Sequence, residues 1–90
     1  MTEESIEQTI KELMVERLYL KVKPEQIRDE TPIMQELGVD SVSVFEIVVG
    51  LEETFGISMD DREFRLETFR TPRSIADFVR RKLKERNAGA

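Results

Sequence analysis

Cysteine and histidine are both missing from this 90-residue chain. Without cysteine there is no disulfide, no thiolate metal site and no thiol nucleophile. Without histidine the usual general base, the Ser-His dyad and the commonest zinc ligand are gone as well. No catalytic residue and no metal ligand set is therefore expected. No apolar run approaches the length of a membrane span, and the first residues, MTEESIEQ, are acidic and polar. Neither a membrane segment nor a signal peptide is expected, and a cytoplasmic setting is.

Hydrophobic residues make up 39% of the chain and charged residues 37%, the latter well above the usual quarter. A chain of this length forms one domain, residues 1–90, and buries only about two thirds of its unfolded surface, so its core is small. The net charge of −5 hides an asymmetry. Residues 1–61 hold 15 acids and 5 bases, whereas residues 62–90 hold 4 acids and 9 bases. From Asp29 to Asp61 nine acids occur without a lysine or arginine. Such a block repels nucleic acid and attracts basic protein surfaces, so no nucleic-acid partner is expected.

Apart from the ambiguous Ile47-Val48-Val49, no stretch alternates as an exposed strand does, and helical spacing dominates. Ile6, Ile10, Leu13, Met14 and Leu18 predict a first helix over roughly Glu4 to Leu20. A long connection with Pro24, Pro32 and Gly38 follows. Its Val22, Ile27, Ile33, Met34 and Leu37 are too apolar for a solvated loop, so it is expected to pack on the core. Asp40-Ser41 opens a second helix, either residue being able to cap it, and Gly56 ends it. Asp60 and Asp61 predict a short third helix with Phe64 turned inward and Leu66 a second candidate for that side. Thr71-Pro72 predicts the start of the last helix, with Ile75, Phe78, Val79 and Leu83 as its apolar stripe. Arg80, Arg81, Lys82, Lys84 and Arg86 crowd its end, where the helix dipole favours cations. Ordered structure is expected over about residues 4–86, with 87–90 frayed. The expected fold is all-α, a small four-helix bundle of three longer helices and one short one, with a long structured first loop.

The second helix carries the functional information. At 100° per residue Val44, Ile47, Val48, Leu51 and Phe55 form a complete core stripe, and Ser43, Gly50 and Thr54 a small polar edge. The remaining face holds Ser41, Val42, Phe45, Glu46, Val49, Glu52 and Glu53. Burial of that face as well would leave three carboxylates in the interior at high cost. As a docking patch, its glutamates would steer a basic partner while Val42, Phe45 and Val49 pack against it. Ser41 lies where this patch meets the positive end of the helix dipole, a place that suits a phosphate. By spacing alone the ordinary N-cap is the favoured reading of it, since serine is common there.

Leu37-Gly38-Val39-Asp40-Ser41-Val42 resembles the (L)G-x-D-S-L motif of acyl and peptidyl carrier proteins. Glu46-Ile47-Val48 and Leu51 to Ile57 match that family's second helix and its end, Thr71 to Val79 its last helix, and Pro24 to Ile27 with Thr31-Pro32 its long first loop. The resemblance spans nearly the whole chain. It implies that Ser41, with Asp40 beside it, is the attachment point of 4′-phosphopantetheine. A phosphopantetheinyl transferase moves that group from coenzyme A to the hydroxyl, and its thiol end then holds cargo as a thioester. The chain would be a carrier, not an enzyme. Its partners would be the transferase, an acyl- or aminoacyl-loading enzyme, and downstream synthase, condensing or acyltransferase enzymes.

The resemblance further implies a stand-alone monomeric carrier of polyketide, nonribosomal peptide or fatty-acid biosynthesis. Val42 stands where the family usually has leucine, and the segment from Met59 to Thr71 is slightly longer than in fatty-acid carriers. With Phe55, Phe64 and Phe69 filling space near the second helix, a short polyketide-type or aminoacyl cargo is expected. The alternative is a non-enzymatic helical adaptor that binds a basic protein through its second helix, with Ser41 only a cap. A small hydrolase or metal protein finds no support, since the acids lack EF-hand spacing.

Overall fold

The computed structural model describes residues 5–88 of the chain. Four α-helices follow in order: α1 (Ile6–Leu18), α2 (Ile33–Glu36), α3 (Ser41–Phe55) and α4 (Pro72–Ala88), and no strand occurs among the described residues. The all-α bundle of three long helices and one short one is as expected. The short helix, however, lies within the first connection, as α2. The segment after α3 forms two 3₁₀ turns instead, Asp61–Glu63 and Leu66–Phe69.

α1 starts on Ser5, whose hydroxyl accepts the Gln8 N–H at 3.0 Å, which satisfies one of the helix's orphan donors. The expected start at Glu4 lies outside the described residues. The helix stops two residues before the expected Leu20, because Tyr19 turns into the left-handed region (φ 53°). That turn brings Leu20 and Val22 back onto the core and clears the way for Pro24, which no helix interior accommodates. α4 begins with a reciprocal cap: the Ser74 N–H donates to Thr71 Oγ1 at 3.1 Å and the Thr71 N–H to Ser74 Oγ at 3.0 Å. It runs through Ala88, two residues past the expected limit.

The first connection is pinned as its apolar content predicts. Ile27, Ile33 and Val39 are buried, and backbone bonds tie it to the residue pair before α4 and to the first turn of α4: Ile33 N–H to Arg70 O at 3.1 Å and Arg73 N–H to Asp29 O at 2.9 Å. α1 packs against both α3 and α4. Ile10, Met14, Val44, Ile47, Leu51, Phe69, Ile75 and Val79 meet in the centre.

The second connection fails to become a helix for a local reason. Asp60 accepts the Arg62 N–H while Glu63 accepts the Asp60 N–H at 2.9 Å, a box closed within a single turn. Lys82 of α4 then holds Glu63 at 2.9 Å. Arg65 is extended (φ −141°, ψ 133°), and this break lets Phe64 and Phe69 both turn inward while Leu66 stays exposed.

Charges from other elements close on the acidic stretch. Lys11 reaches Asp29 at 2.7 Å, and Arg73 bridges Asp29 and Glu30 at 3.5 and 2.8 Å. Arg80 meets the buried Glu7 at 2.5 Å, joining α4 to α1. No helix among the described residues is long and apolar enough to cross a membrane.

Candidate functional site

Ser41 is placed by the turn before it. Gly38 adopts φ +69°, a conformation that costs glycine nothing. Val39 then anchors the turn in the core, its N–H on Ile33 O at 3.3 Å. Of the two candidate caps, Asp40 is the one used: its Oδ1 accepts the Ser43 N–H at 2.8 Å. That backbone bond holds the Asp40 carboxyl below its ordinary range, so it stays ionised. Ser41 is the first residue inside α3, exposed, and among the described residues no hydrogen bond engages its hydroxyl. The reading of Ser41 as a mere cap therefore fails, because the adjacent carboxylate does that work.

The outer face of α3 emerges as the wheel predicts. Val42, Phe45 and Val49 are 74%, 60% and 41% exposed, a high value for three large apolar side chains on one face. Val44, Ile47 and Leu51 are buried on the opposite side, with Val48 and Phe55 half-buried at its margin. Phe45, one turn beyond Ser41, stacks on Phe64 with ring centroids 5.5 Å apart, and Phe64 on Phe69 at 5.7 Å. Beside this stack lies a groove of about 300 Å³ lined by Phe45, Val48, Met59, Asp60, Asp61 and Phe64.

The three glutamates differ from one another. Glu52 is half-buried, and its Oε2 accepts the Met59 N–H at 2.9 Å, fastening the loop after α3. Glu46 and Glu53 are exposed, and both face Arg17 of α1: Glu53 in a direct hydrogen-bonded ion pair and Glu46 at 3.7 Å. Spacing within α3 cannot reveal a cation from another helix. The one available signal was Gly50, a glycine that costs helix stability mid-helix unless something needs its space. It is buried rather than on a polar edge. Phe64 and Met59 as groove walls were equally beyond local spacing.

The arrangement fits an attached phosphopantetheine: a free hydroxyl at the positive end of a helix, beside an apolar groove, with no competing partner. Comparison with known proteins agrees. The sequence matches the family described as "Phosphopantetheine attachment site" over residues 8–79. It is 44% identical over 54 residues to an acyl carrier protein of Wolinella succinogenes, spanning 60% of this chain and 68% of that one. The fold superposes on the solution structure of a holo acyl carrier protein from Nitrosomonas europaea with a TM-score of 0.78 and 28% identity, covering 87% of this chain and 95% of that one.

Proposed function

We propose, for a chain that belongs to the acyl carrier protein family and is a phosphopantetheine-bearing carrier rather than an enzyme, that Ser41 is the attachment residue and the outer face of α3 the surface on which partner enzymes dock. The observation that carries this reading is the unengaged, exposed hydroxyl of Ser41, with the capping duty taken by Asp40. A phosphopantetheinyl transferase supplies the base that removes the Ser41 proton as its Oγ bonds to phosphorus and the diphosphate linkage of coenzyme A breaks, releasing adenosine 3′,5′-bisphosphate. The lack of histidine here is then no obstacle. Asp40 fixes the first turn and so the direction of Oγ, and the N-terminal end of α3 favours the anionic phosphodiester. When bound, the prosthetic group supplies the thiol on which cargo rides as a thioester.

Val42, Phe45 and Val49 provide the apolar contact for the transferase, for a loading enzyme and for downstream synthase, condensing or acyltransferase enzymes. Glu46 and Glu53 provide the field that orients them. The groove beside Phe45 and Phe64 is the resting place of a short acyl or aminoacyl cargo. The carrier works in the cytoplasm as a single copy, passed between these enzymes.

Incubation with coenzyme A and a broad-specificity transferase tests the attachment. Intact mass should rise by one phosphopantetheine in the wild type and stay unchanged in Ser41→Ala. Modification of Ser41→Ala, at Ser43 for example, would refute the assignment.

A further inference from the structure

The Arg17 side chain of α1 runs across α3 at Gly50 and ends between Glu46 and Glu53. A methyl group added at Gly50 would lie 2.7 Å from Arg17 Nε, 2.8 Å from Arg17 Cδ and 2.9 Å from Leu13 Cδ2. Real side chains do not approach so closely, so the missing side chain is the seat through which the guanidinium reaches the outer face. There it pairs with Glu53 and stands 3.7 Å from Glu46. Glu46 and Glu53 are the two exposed acids of the face, with side chains 58% and 64% accessible, whereas the Arg17 side chain is 29% accessible. One half-sheltered cation thus satisfies both charges that are placed to meet a partner. No other base pairs with either glutamate among the described residues.

We propose that Arg17, seated over Gly50, is a partner-selecting residue that masks Glu46 and Glu53. A docking protein must bring a basic group able to displace the guanidinium, and weakly basic surfaces meet a face whose field is already partly cancelled. This rests on the reading of α3 as the docking face. Electrostatic complementarity governs association rate and partner choice more than fold stability, and a surface ion pair of this kind contributes little to stability. The ion pair is therefore free to serve selection at little cost to the fold.

The test uses the whole protein and a synthetic lysine-rich amphipathic helical peptide as probe. Titrations follow the amide shifts of Phe45 to Glu53 at low and at high salt. Arg17→Gln should bind the peptide roughly threefold or more tightly at low salt, with a steeper salt dependence, and Arg17→Lys should restore much of the masking. Gly50→Ala, which leaves the net charge unchanged, should move affinity in the same direction as Arg17→Gln. In a Glu46→Gln, Glu53→Gln background the Arg17→Gln change should have no effect.

Equal affinity of wild type and Arg17→Gln would overturn the proposal. So would an equal gain in the background lacking both glutamates, which would mark a mere change of net charge. Far-UV circular dichroism confirms that each variant is folded. The peptide titration does not depend on Ser41, so failure of the attachment reading, seen as no mass gain with coenzyme A, is separate from failure of this one.

Discussion

Truncating Leu51 and Phe45 to alanine in parallel separates the inner from the outer face of α3. Leu51 is 1% exposed and sits among Ile10, Met14, Ile47 and Val79. Removing its isobutyl group leaves a cavity walled by three helices that cannot collapse freely, which costs about 2–5 kcal/mol. Phe45 is 60% exposed, and its main intramolecular contact is the stack on Phe64, with centroids 5.5 Å apart. Such a pair contributes about 0.5–1.5 kcal/mol beyond its buried area, and alanine recovers part of that through its better helix propensity, about 0.5 kcal/mol. The net cost of Phe45→Ala is then about 1 kcal/mol or less.

In a domain of this size 1 kcal/mol moves the melting temperature by about 4–8 °C. Leu51→Ala should thus lower it by about 10 °C or more, a large share of a marginal total stability, and Phe45→Ala by about 8 °C at most. Thermal melts followed by far-UV circular dichroism read the shifts, and urea melts with unchanged m values read the free energies. A Phe45→Ala cost within the error of that for Leu51→Ala would refute the division of α3 into a core face and a docking face. If the division holds, Phe45→Ala should retain its fold while slowing modification by the transferase.

Acid should weaken the fold through three paired carboxylates. Burial pushes the Glu7 carboxyl up, but the Arg80 hydrogen bond, a backbone N–H and the Arg80 charge together outweigh it and leave it below its ordinary range. The Lys11 hydrogen bond lowers Asp29, and the Asp60 N–H, followed by Lys82, lowers Glu63. A group depressed in the folded state adds stability that is complete above its unfolded value, about 4.3 for glutamate and 3.9 for aspartate. That stability is lost as pH falls through the folded value. Urea midpoints should therefore drop below about pH 4, and Glu7→Gln should flatten that drop; an unchanged acid slope in Glu7→Gln would exclude the Glu7–Arg80 pair as a contributor. For cargo, short acyl or aminoacyl loading of the holo protein should shift Ser41 and the groove residues Phe45, Met59 and Phe64 only. A long acyl chain should leave Leu51 unmoved, because the stack of Phe45, Phe64 and Phe69 fills the space between the elements. Large Leu51 shifts and a raised melting temperature with the long chain would show that helices part around it.

Helix α3 was nearly complete in the sequence. Its stripe from Val44 to Phe55, its exposed Val42, Phe45 and Val49, its stop at Gly56 and the candidate Ser41 all follow from residue order, because a helix's period and termini are set by the residues within it. The packed first loop was legible in the same way, from apolar content that water would not tolerate.

Tertiary structure decided what local spacing leaves open. Asp40 and Ser41 were equal candidates for the cap until the Ser43 N–H was seen on the carboxylate, which leaves the serine hydroxyl free. The segment after Asp60 carries the start signals of a helix. Lys82 from α4 on Glu63, and the inward turn of both Phe64 and Phe69, favour two short turns with an extended Arg65 between them. Glu46 and Glu53 lie in a stretch with no base for 33 residues, yet Arg17, 36 positions before Glu53, reaches them over Gly50. Periodicity fixes the direction in which a side chain leaves its own helix. Which charge it meets depends on how helices distant in sequence pack, and for these two glutamates that packing hinges on a glycine with no side chain to keep the arginine away.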